Sequence, residues 1–463
     1  MLTFVAFIFV IGVLIIVHEW GHFIVAKKMG VRVDEFSIGF PPKMLTLFRR
    51  NGTDYILSWM PFGGYVKMAG MEFDESTMAG NKPDERSDTE KEMDPELFSS
   101  KTAGQRFWII FAGPAMNFIF AFILFIGILF VDGVPYPAHT AIEVDPGSSA
   151  ERAGLQTGDR VLAVNGQSVK NWLEITQLLD PEVHPDGEIT VMRGSRELVV
   201  TYQLPEATGF GIFPFYIPLI GTVQKDSPAY HAGLQAGDLI TTIHWESSED
   251  FFLHAKKRRD TLTNMQTKSI AKWEEMANVI RTHADVPLWI HAIRGDSLLT
   301  TIATPSPGQV PAGENRLQKV GLIGVKMHLE KERISLPAAV LRSGQITAQY
   351  SFLILNVFRT ILQGNVNRDM VGGPVAIGKF AGEVARWGFI PLLNFMAVLS
   401  IQLAILNLIL PIPVLDGAQI AFIAIEKLRG RPVSAENRMR LAQVGAILLI
   451  TLMVVVTILD ITR

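Results

Sequence analysis

Long apolar runs constrain the fold of this 463-residue chain more than any other feature of its sequence. Crossing the hydrocarbon core of a bilayer, about 30 Å thick, takes about 20 mostly apolar residues in a helix. The runs that we interpret as membrane spans are residues 4–26, 107–131, 390–410 and 444–459. Hydrophobic residues make up 48% of the chain, a high share for a soluble protein. We therefore predict a polytopic α-helical membrane protein with about four transmembrane helices.

The first apolar run differs from a signal peptide, because no basic residues precede it and no small-residue cleavage site follows it. We therefore interpret residues 4–26 as a membrane span. A further apolar stretch, residues 350–362, is short for crossing a bilayer. We predict that it forms an interfacial or membrane-abutting helix.

Basic residues indicate which side of the membrane each loop faces. They follow the first span and separate the third from the fourth, and cytoplasmic loops are enriched in Lys and Arg. We therefore expect both loops to be cytoplasmic, and residues 132–389 and both termini to lie on the opposite side. The basic residues concerned are Lys27, Lys28, Arg32, Lys43, Arg49, Arg50, Lys427, Arg429, Arg431, Arg438 and Arg440. The acidic stretch 72–96 in the first loop is expected to be solvated and disordered.

Charge and cysteine content limit the classes of site that the chain can carry. The formal net charge is −3, so no basic field favours nucleic acid as a partner. The chain has no cysteine, so a metal ligand must be a His, Asp, Glu or Asn side chain.

The segment between the second and third spans contains a repeat. The pattern Ala-Gly-Leu-Gln-x-Gly-Asp occurs at residues 153–159 and again at 232–238, each time followed by an apolar strand. A repeated supersecondary unit indicates tandem domains, and this pattern resembles PDZ domains. We predict two tandem PDZ-like α+β domains, at residues 132–220 and 221–328. PDZ domains can bind extended peptides or C-termini by strand addition, and a spacer or steric filter with an empty groove is the alternative.

The second copy of the repeat has an additional polar and charged stretch near residues 244–263. The first copy passes directly from Val164 to Asn165 and Gly166 at the corresponding place. We interpret the additional stretch as an inserted surface loop.

The strongest indication of chemistry is the sequence His18-Glu19-Trp20-Gly21-His22 within the first span. In a helix, His18 and His22 lie one turn apart on the same face. Two imidazoles in this arrangement can bind one zinc ion, with Glu19 placed to take a proton from water on that ion. Ionisable side chains inside a membrane span are costly and therefore indicate function. A polar contact between helices, or a proton-relay site of a transporter, is the alternative interpretation.

A catalytic zinc site usually has three protein ligands and an open position for water, so a third ligand is required. Asp416 follows the third span, in the segment Pro411-Ile412-Pro413-Val414-Leu415-Asp416-Gly417. Prolines end regular helix, and non-helical backbone at membrane depth is tolerated only against protein or water. We expect this segment to line a cavity and Asp416 to be the third ligand. The alternative is that Asp416 only caps the next helix.

The order of these motifs resembles the bacterial site-2 protease family of intramembrane zinc metalloproteases. The resemblance covers almost the whole chain and implies that His18, His22 and Asp416 bind Zn²⁺ and that Glu19 is the catalytic base. The motifs are HEWGHF at 18–23, GGYVKM at 63–68, AGPAMN at 112–117, the PDZ-like pair, GGPVAI at 372–377 and PIPVLDG at 411–417.

The resemblance also implies an activity and a location. The activity is cleavage of single-span membrane proteins within the lipid bilayer, including anti-sigma factors and remnant signal peptides, in regulated intramembrane proteolysis during a stress response. The location is the bacterial inner (cytoplasmic) membrane, which the protein crosses several times. The PDZ-like domains would be periplasmic, and the active site would lie towards the cytoplasmic side.

Two segments are implied to contact the substrate. Residues 63–68 would form a membrane-associated, re-entrant β-hairpin that holds the substrate as an extended strand, because an exposed sheet edge offers main-chain pairing. The implied substrate-binding residues are Gly63, Gly64, Tyr65, Val66, Asn407, Pro411 and Pro413. Asn117, in the second span, either forms a hydrogen bond near the site or ties helices together.

The chain departs from the family pattern in two places. The family usually has an Asn three residues before the first proline, whereas Asn407 precedes Pro411 by four. Either a residue is added locally or Asn407 is displaced by a helical step. Ala418 and Gln419 replace a Gly-His pair, which removes a further His candidate and favours carboxylate ligation.

Two other functions compete with a protease. One is a catalytically inactive PDZ membrane scaffold that carries a metal. The other is a metal or proton transporter, which would favour more spans and repeated halves. The predicted domain organisation has five parts. Residues 1–131 contain the first two spans, the His-Glu motif and the β region, and residues 390–463 contain the last two spans and Asp416. Between them lie the PDZ-like domains, at 132–220 and 221–328, and a linker with a membrane-abutting helix at 329–389.

Overall fold

The chain folds into two compact units, one formed by residues 1–132 and 334–463 and the other by residues 133–333. The computed structural model describes residues 2–71, 94–137, 139–179, 184–204, 210–246, 265–312, 316–363, 372–410, 412, 415–431 and 433–462. Most of the predicted acidic stretch, most of the predicted insertion near 244–263, and Pro411 and Pro413 lie outside these residues.

The helices of the described residues are α1 (Leu2–Lys28), α2 (Ala103–Asp132), α3 (Ser149–Arg152), α4 (Trp172–Leu178), α5 (Pro228–His231), α6 (Trp273–Thr282), α7 (Leu336–Leu362), α8 (Pro374–Arg386), α9 (Phe389–Ile409), α10 (Asp416–Arg429) and α11 (Ala435–Thr462). The strands are β1 (Val33–Arg50), β2 (Thr53–Met68), β3 (Val134–Tyr136), β4 (Ile142–Val144), β5 (Arg160–Val164), β6 (Gln167–Ser168), β7 (Asp186–Arg193), β8 (Arg196–Gln203), β9 (Ile212–Pro214), β10 (Ile220–Val223), β11 (Leu239–Glu246), β12 (Met265–Ser269), β13 (Leu288–Arg294), β14 (Ser297–Ala303), β15 (Ser306–Ala312), β16 (Arg316–Leu322), β17 (Val325–Met327) and β18 (Glu330–Glu332).

Three helices of the described residues, α1, α2 and α9, are long and apolar enough to cross a membrane. They contain the first three predicted spans. They pack on one another through apolar side chains such as Val10 and Leu14 of α1, which contact Leu392 and Met396 of α9. The fourth predicted span, residues 444–459, lies within α11 and stays a prediction.

Helix α7 is longer than the sequence indicated. The apolar stretch 350–362 is only the second half of a helix of 27 residues, so the expected short helix is wrong in extent. Polar residues such as Arg342 and Gln345 interrupt the apolar pattern of its first half, so the sequence did not indicate a helix there. Its Tyr350 stacks on Phe125 of α2, with ring centroids 6.0 Å apart.

Strands β1 and β2 form a long hairpin that folds over on itself. Its turn is Asn51-Gly52, where both residues have a positive φ, as a two-residue hairpin turn requires. Glu35 pairs with Lys67 on one side and with Asp54 on the other, so the two strands build a small antiparallel sheet. Residues 63–68 are therefore the last part of β2, so the predicted hairpin is present but extends over both strands and is much larger than this segment.

The second unit contains two similar antiparallel sheets, with strand orders β6-β5-β7-β8 and β12-β11-β13-β14. Each copy of the repeat begins with a short helix, α3 or α5, whose start is capped by a serine hydroxyl. Ser148 accepts from the amide of Glu151, and Ser227 accepts from the amide of Tyr230. Each copy has its own apolar core.

The aspartate that ends the repeated pattern has a structural role. In the second copy, Asp238 is fully buried and accepts hydrogen bonds from Arg294 Nε and Nη2, at 2.6 and 2.8 Å, and from the amide of Gln235. Asp159 and Arg193 form the same pair in the first copy. Burial alone raises the pKa of Asp238, but the bonds from Arg294 and Gln235 lower it below its usual value.

Strand β11 of the second copy includes the first residues of the predicted insertion. Strand β11 continues to Glu246, and His244 and Trp245 pair with Thr267 and Gln266 of β12. These two residues therefore belong to the sheet, and the expectation that the loop starts at residue 244 is wrong.

Candidate metal centre

His18, Glu19 and His22 are buried on the inner face of α1, each no more than 6% exposed. The apolar run forms one continuous helix, so the four-residue spacing places both imidazoles on the same face. Trp20 lies on the opposite face and is exposed. The buried face of α1 therefore presents the polar groups to the interior of the helix bundle.

Small residues let α1 and α2 approach each other closely at this level. A methyl group on Gly21 would overlap the carbonyl of Ala112, and one on Gly113 would overlap His22 Nε2. Close helix packing in membranes typically uses such small residues. The glycines therefore provide the space in which the two imidazoles lie.

Asp416 reaches the histidines from the other end of the chain because α10 starts next to the end of α9. A methyl group on Gly417 would lie 2.5 Å from the Leu408 carbonyl oxygen, so glycine permits this close approach. An ion pair between Arg106 Nη2 of α2 and Glu426 Oε1, at 2.5 Å, holds the far part of α10. These contacts place the first residue of α10 against α1.

The three side chains converge on one point. His18 Nε2 lies 3.0 Å from Asp416 Oδ2 and 3.2 Å from His22 Nε2, and His22 Nε2 lies 3.4 Å from Asp416 Oδ1. Metal–ligand distances of about 2.0–2.2 Å in a tetrahedral site put the ligand atoms about 3.3–3.6 Å apart, within about 0.3 Å of the three separations. The observed separations therefore fit a zinc ion.

Hydrogen bonds from α2 reach the other nitrogen of each imidazole. The carbonyl oxygen of Ile109 lies 2.9 Å from His22 Nδ1, which places the proton on Nδ1 and leaves the Nε2 lone pair for a metal. The amide of Asn117 lies 3.3 Å from His18 Nδ1. Among the residues that the structure describes, His18, His22 and Asp416 are the one group of three His, Asp or Glu side chains close enough to hold a metal.

The edge of β2 passes beside Glu19. A methyl group on Gly64 would lie 3.6 Å from Glu19 Cγ, so the strand and the acid are in close proximity. Tyr65 is buried and donates a hydrogen bond to Glu35 Oε2 at 2.7 Å, and Val66 is buried in the apolar core. A side chain on Gly63 would overlap the ring of Phe40. The side chains of Tyr65 and Val66 therefore support the sheet, and the position that a side chain on Gly64 would occupy is turned towards Glu19.

Asn407 lies at the metal centre in spite of its unusual spacing. Its Nδ2 is 3.4 Å from His18 Nε2. Pro411 and Pro413 are outside the described residues. Sequence patterns did not indicate the contributions of Ile109, Gly113 and Arg106, because these depend on which helices are neighbours. The motif AGPAMN includes Gly113, but the motif did not indicate what Gly113 contributes to the site.

Comparisons with known proteins give a consistent result over the whole chain. The sequence profile of peptidase family M50 matches residues 6–452. The regulator of sigma E protease of Salmonella typhi is 32% identical, over 97% of this chain and 96% of its own length. The regulator of sigma-E protease RseP of Escherichia coli K12 is 31% identical over the same shares. A Vibrio cholerae serotype O1 protein, described as a candidate zinc metalloprotease, is 29% identical over 100% of this chain and 98% of its own.

Proposed function

The chain belongs to peptidase family M50, and on that basis we propose that His18, His22 and Asp416 hold its catalytic zinc ion and that Glu19 is its catalytic base. The protein is a zinc metalloprotease of the site-2 type, with membrane helices. The observation that carries the residue assignment is the convergence of two histidines near residue 20 with a carboxylate near residue 416, at separations that suit zinc.

The chain's own residues provide the remaining chemistry. Zinc, when bound, supplies the Lewis acidity that activates water and polarises a peptide carbonyl. Glu19 accepts the proton of the attacking water and later delivers it to the leaving amine. Burial of Glu19 excludes bulk water from this transfer. Asn407, near His18, is placed to donate a hydrogen bond to a substrate or to the developing oxyanion.

The substrate is a single-span membrane protein, of the anti-sigma factor type or a remnant signal peptide. It binds as an extended strand along β2 at residues 63–68, beside Glu19. Two observations support this mode of binding. Among the described residues β2 pairs with β1 in a sheet of two strands, and a strand at the edge of a sheet can add a peptide strand. Gly64 also lies close to Glu19.

The protein resides in a bacterial inner membrane, with its metal centre towards the cytoplasm. The basic residues at the end of α1 and in α10 support this orientation. The two copies in residues 133–333 are PDZ-like domains in the periplasm. They act as a steric filter that admits substrates whose bulky part has already been removed, or they bind substrate C-termini.

Replacement of Glu19 by Gln tests the proposed roles. We expect the Glu19→Gln variant to bind zinc like the wild type and to cut a single-span peptide at least about 1,000-fold more slowly, since it loses its proton acceptor. Zinc content and cleavage of a labelled single-span peptide in liposomes are the measurements.

A matched control is Glu436→Gln, at an exposed glutamate whose surface ion pair with Arg440 contributes little to stability. This control should keep both zinc and activity. Undiminished cleavage by the Glu19→Gln variant would remove Glu19 from its role. A wild-type protein that binds zinc but cuts no single-span peptide would instead be an inactive scaffold.

A further inference from the structure

We infer, on the basis of the proposed zinc site, that Asn117 is a positioning residue that keeps the proton of His18 on Nδ1 and thereby directs Nε2 to the metal. A histidine ligand needs a hydrogen-bond acceptor at its other nitrogen, which fixes both the tautomer and the ring orientation. His22 has the Ile109 carbonyl as this acceptor. For His18, the described residues offer the amide of Asn117, 3.3 Å from Nδ1.

One ridge of α2 serves both imidazoles. Ile109, Gly113 and Asn117 are spaced four residues apart and therefore lie on the same face of the helix. Ile109 contacts His22 Nδ1, Gly113 leaves space for both rings, and Asn117 contacts His18 Nδ1. These three residues thus contact the two histidines at successive helical turns, and among them only Asn117 forms a hydrogen bond through its side chain.

The orientation of the Asn117 amide determines the tautomer of His18. With Nδ2 towards His18, Nδ1 is an acceptor and the proton sits on Nε2, where it blocks metal binding. A half-turn of the amide presents Oδ1 instead, which accepts a proton from Nδ1 and frees Nε2. The two ends of an amide have the same shape, so the turn needs no further space. It breaks no hydrogen bond of Oδ1, which has no partner among the described residues.

A tie between helices does not account for the Asn117 side chain. Asn117 does join α2 to α9, but it does so through its backbone carbonyl, which accepts a hydrogen bond from Ser400 Oγ at 2.8 Å. Any residue at position 117 would offer that carbonyl. The side-chain amide is fully buried, and burial of an amide costs free energy unless the amide has a partner. His18 is the partner that the structure provides.

Two replacements at position 117 separate positioning from packing. Asn117→Leu keeps a similar shape without an acceptor, and we expect it to lose zinc affinity by about 10- to 100-fold. Asn117→Asp keeps the acceptor and should bind zinc about as tightly as the wild type. Ser400→Ala is the matched control, because it removes the tie between helices and leaves His18 untouched. The measurement is the zinc dissociation constant of the full-length protein in detergent.

A spectroscopic measurement reports the tautomer directly. In the zinc-loaded protein with ¹⁵N-labelled histidine rings, His18 should carry its proton on Nδ1, and the Nδ1 signal should shift in Asn117→Asp. This readout decides the matter even if Asn117→Leu fails to fold. The inference is overturned if His18 binds zinc through Nδ1, if its Nδ1 signal is unchanged in Asn117→Asp, or if a folded Asn117→Leu keeps full affinity. A wild type without zinc would instead overturn the proposed function.

Discussion

Gly113 contributes to the candidate metal centre because the absence of a side chain leaves space for the imidazoles. A methyl group at this position would overlap His22 Nε2 and would lie 2.9 Å from His18 Cε1. We therefore predict that Gly113→Ala displaces the imidazoles and weakens zinc binding by about 5- to 150-fold, which corresponds to the 1–3 kcal/mol cost of overpacking. Zinc titration of the purified full-length protein is the measurement.

Gly127→Ala is the matched control for this prediction, because Gly127 lies on the same helix with no atom within 4 Å of an added methyl group. Alanine also has the higher helix propensity, so this control should be neutral or slightly stabilising. Zinc affinity that stays equal in both variants would contradict the assigned role of Gly113.

Individual residues differ in how far the sequence could predict them. His18 and His22 were predictable, because helical periodicity alone places them on one face. Asp416 could be predicted only by association with them, since spacing along the chain does not show that α10 starts beside α1. The position of Asn407 could not be predicted from its displaced spacing. It reaches His18 because the end of α9, not the distance to Pro411, determines where its side chain lies.

Helix α10 carries Asp416, the proposed third ligand, and its far part is held to α2 by the ion pair of Arg106 and Glu426. Both side chains are largely buried, and removal of one partner from a buried pair costs about 3 kcal/mol or more. We predict that Arg106→Glu, which brings two carboxylates together, shifts α10 and lowers zinc affinity. The double variant Arg106→Glu with Glu426→Arg should recover most of the loss.

Zinc affinity of both single variants and of the double variant, combined in a thermodynamic cycle, measures this coupling. Recovery in the double variant distinguishes a specific pair from general damage to the helix. A double variant that binds zinc as weakly as either single variant would show that the ion pair does not position Asp416.

The ion pair between the buried Asp238 and the partly exposed Arg294 makes the stability of the second repeat depend on pH. The pKa of Asp238 is lowered in the folded state, so its stabilising effect is complete above the unfolded pKa of about 3.9. It is lost as pH falls through the folded pKa. We predict that Asp238→Asn destabilises this repeat by about 1–2 kcal/mol at neutral pH, because Asp238 is buried but Arg294 is partly exposed to solvent. The difference from the wild type should shrink below about pH 4.

Hydrogen exchange of peptides from residues 220–246 in the full-length protein measures this local stability. Asp296→Asn, at an exposed turn, is the control and should exchange like the wild type. A destabilisation of Asp238→Asn that persists unchanged into the acid range would show that packing, and not charge, is responsible.

Secondary structure elements were predictable where one periodicity dominates. The continuous apolar pattern of α1 and α9 indicated helices within a few residues of their observed bounds. The first half of α7 was missed, because its buried face consists of small residues such as Ala339 and Ser343, which give a weak hydrophobic pattern. Local sequence likewise could not show that Gly63–Met68 is the edge of a larger sheet, because strand pairing is a long-range property.

At the scale of the whole molecule, the sequence indicated a membrane unit interrupted by a duplicated insert. It did not show how the insert begins and ends. Strands β3 and β18 pair antiparallel, with Val134 opposite Glu332, so the two ends of residues 133–333 lie side by side. This pairing joins segments nearly 200 residues apart, a separation at which no local pattern acts.

The adjacent ends of this insert allow a direct test of the proposed steric filter. Residues 133–333 can be replaced by a short Gly-Ser linker, because Val134 and Glu332, near the two ends of this segment, are paired neighbours in the intact protein. The proposed metal ligands and Glu19 all lie in the other unit. We predict that the shortened protein still binds zinc and cuts a short single-span peptide, and that it gains cleavage of a substrate with an intact, bulky periplasmic domain.

The test compares the cleavage rates of the intact and shortened proteins on the same two substrates. If residues 133–333 exclude bulky substrates by size, only the shortened protein cuts the bulky one, and the rate on the short peptide changes little. The shortened protein with Glu19→Gln is the control, and it should cut neither substrate, which excludes a contaminating protease. If the shortened protein binds zinc and cuts the short peptide but leaves the bulky substrate intact, size exclusion is wrong. The PDZ-like pair would then contribute by binding substrate, and the rate on substrates with a free C-terminus should fall in the shortened protein.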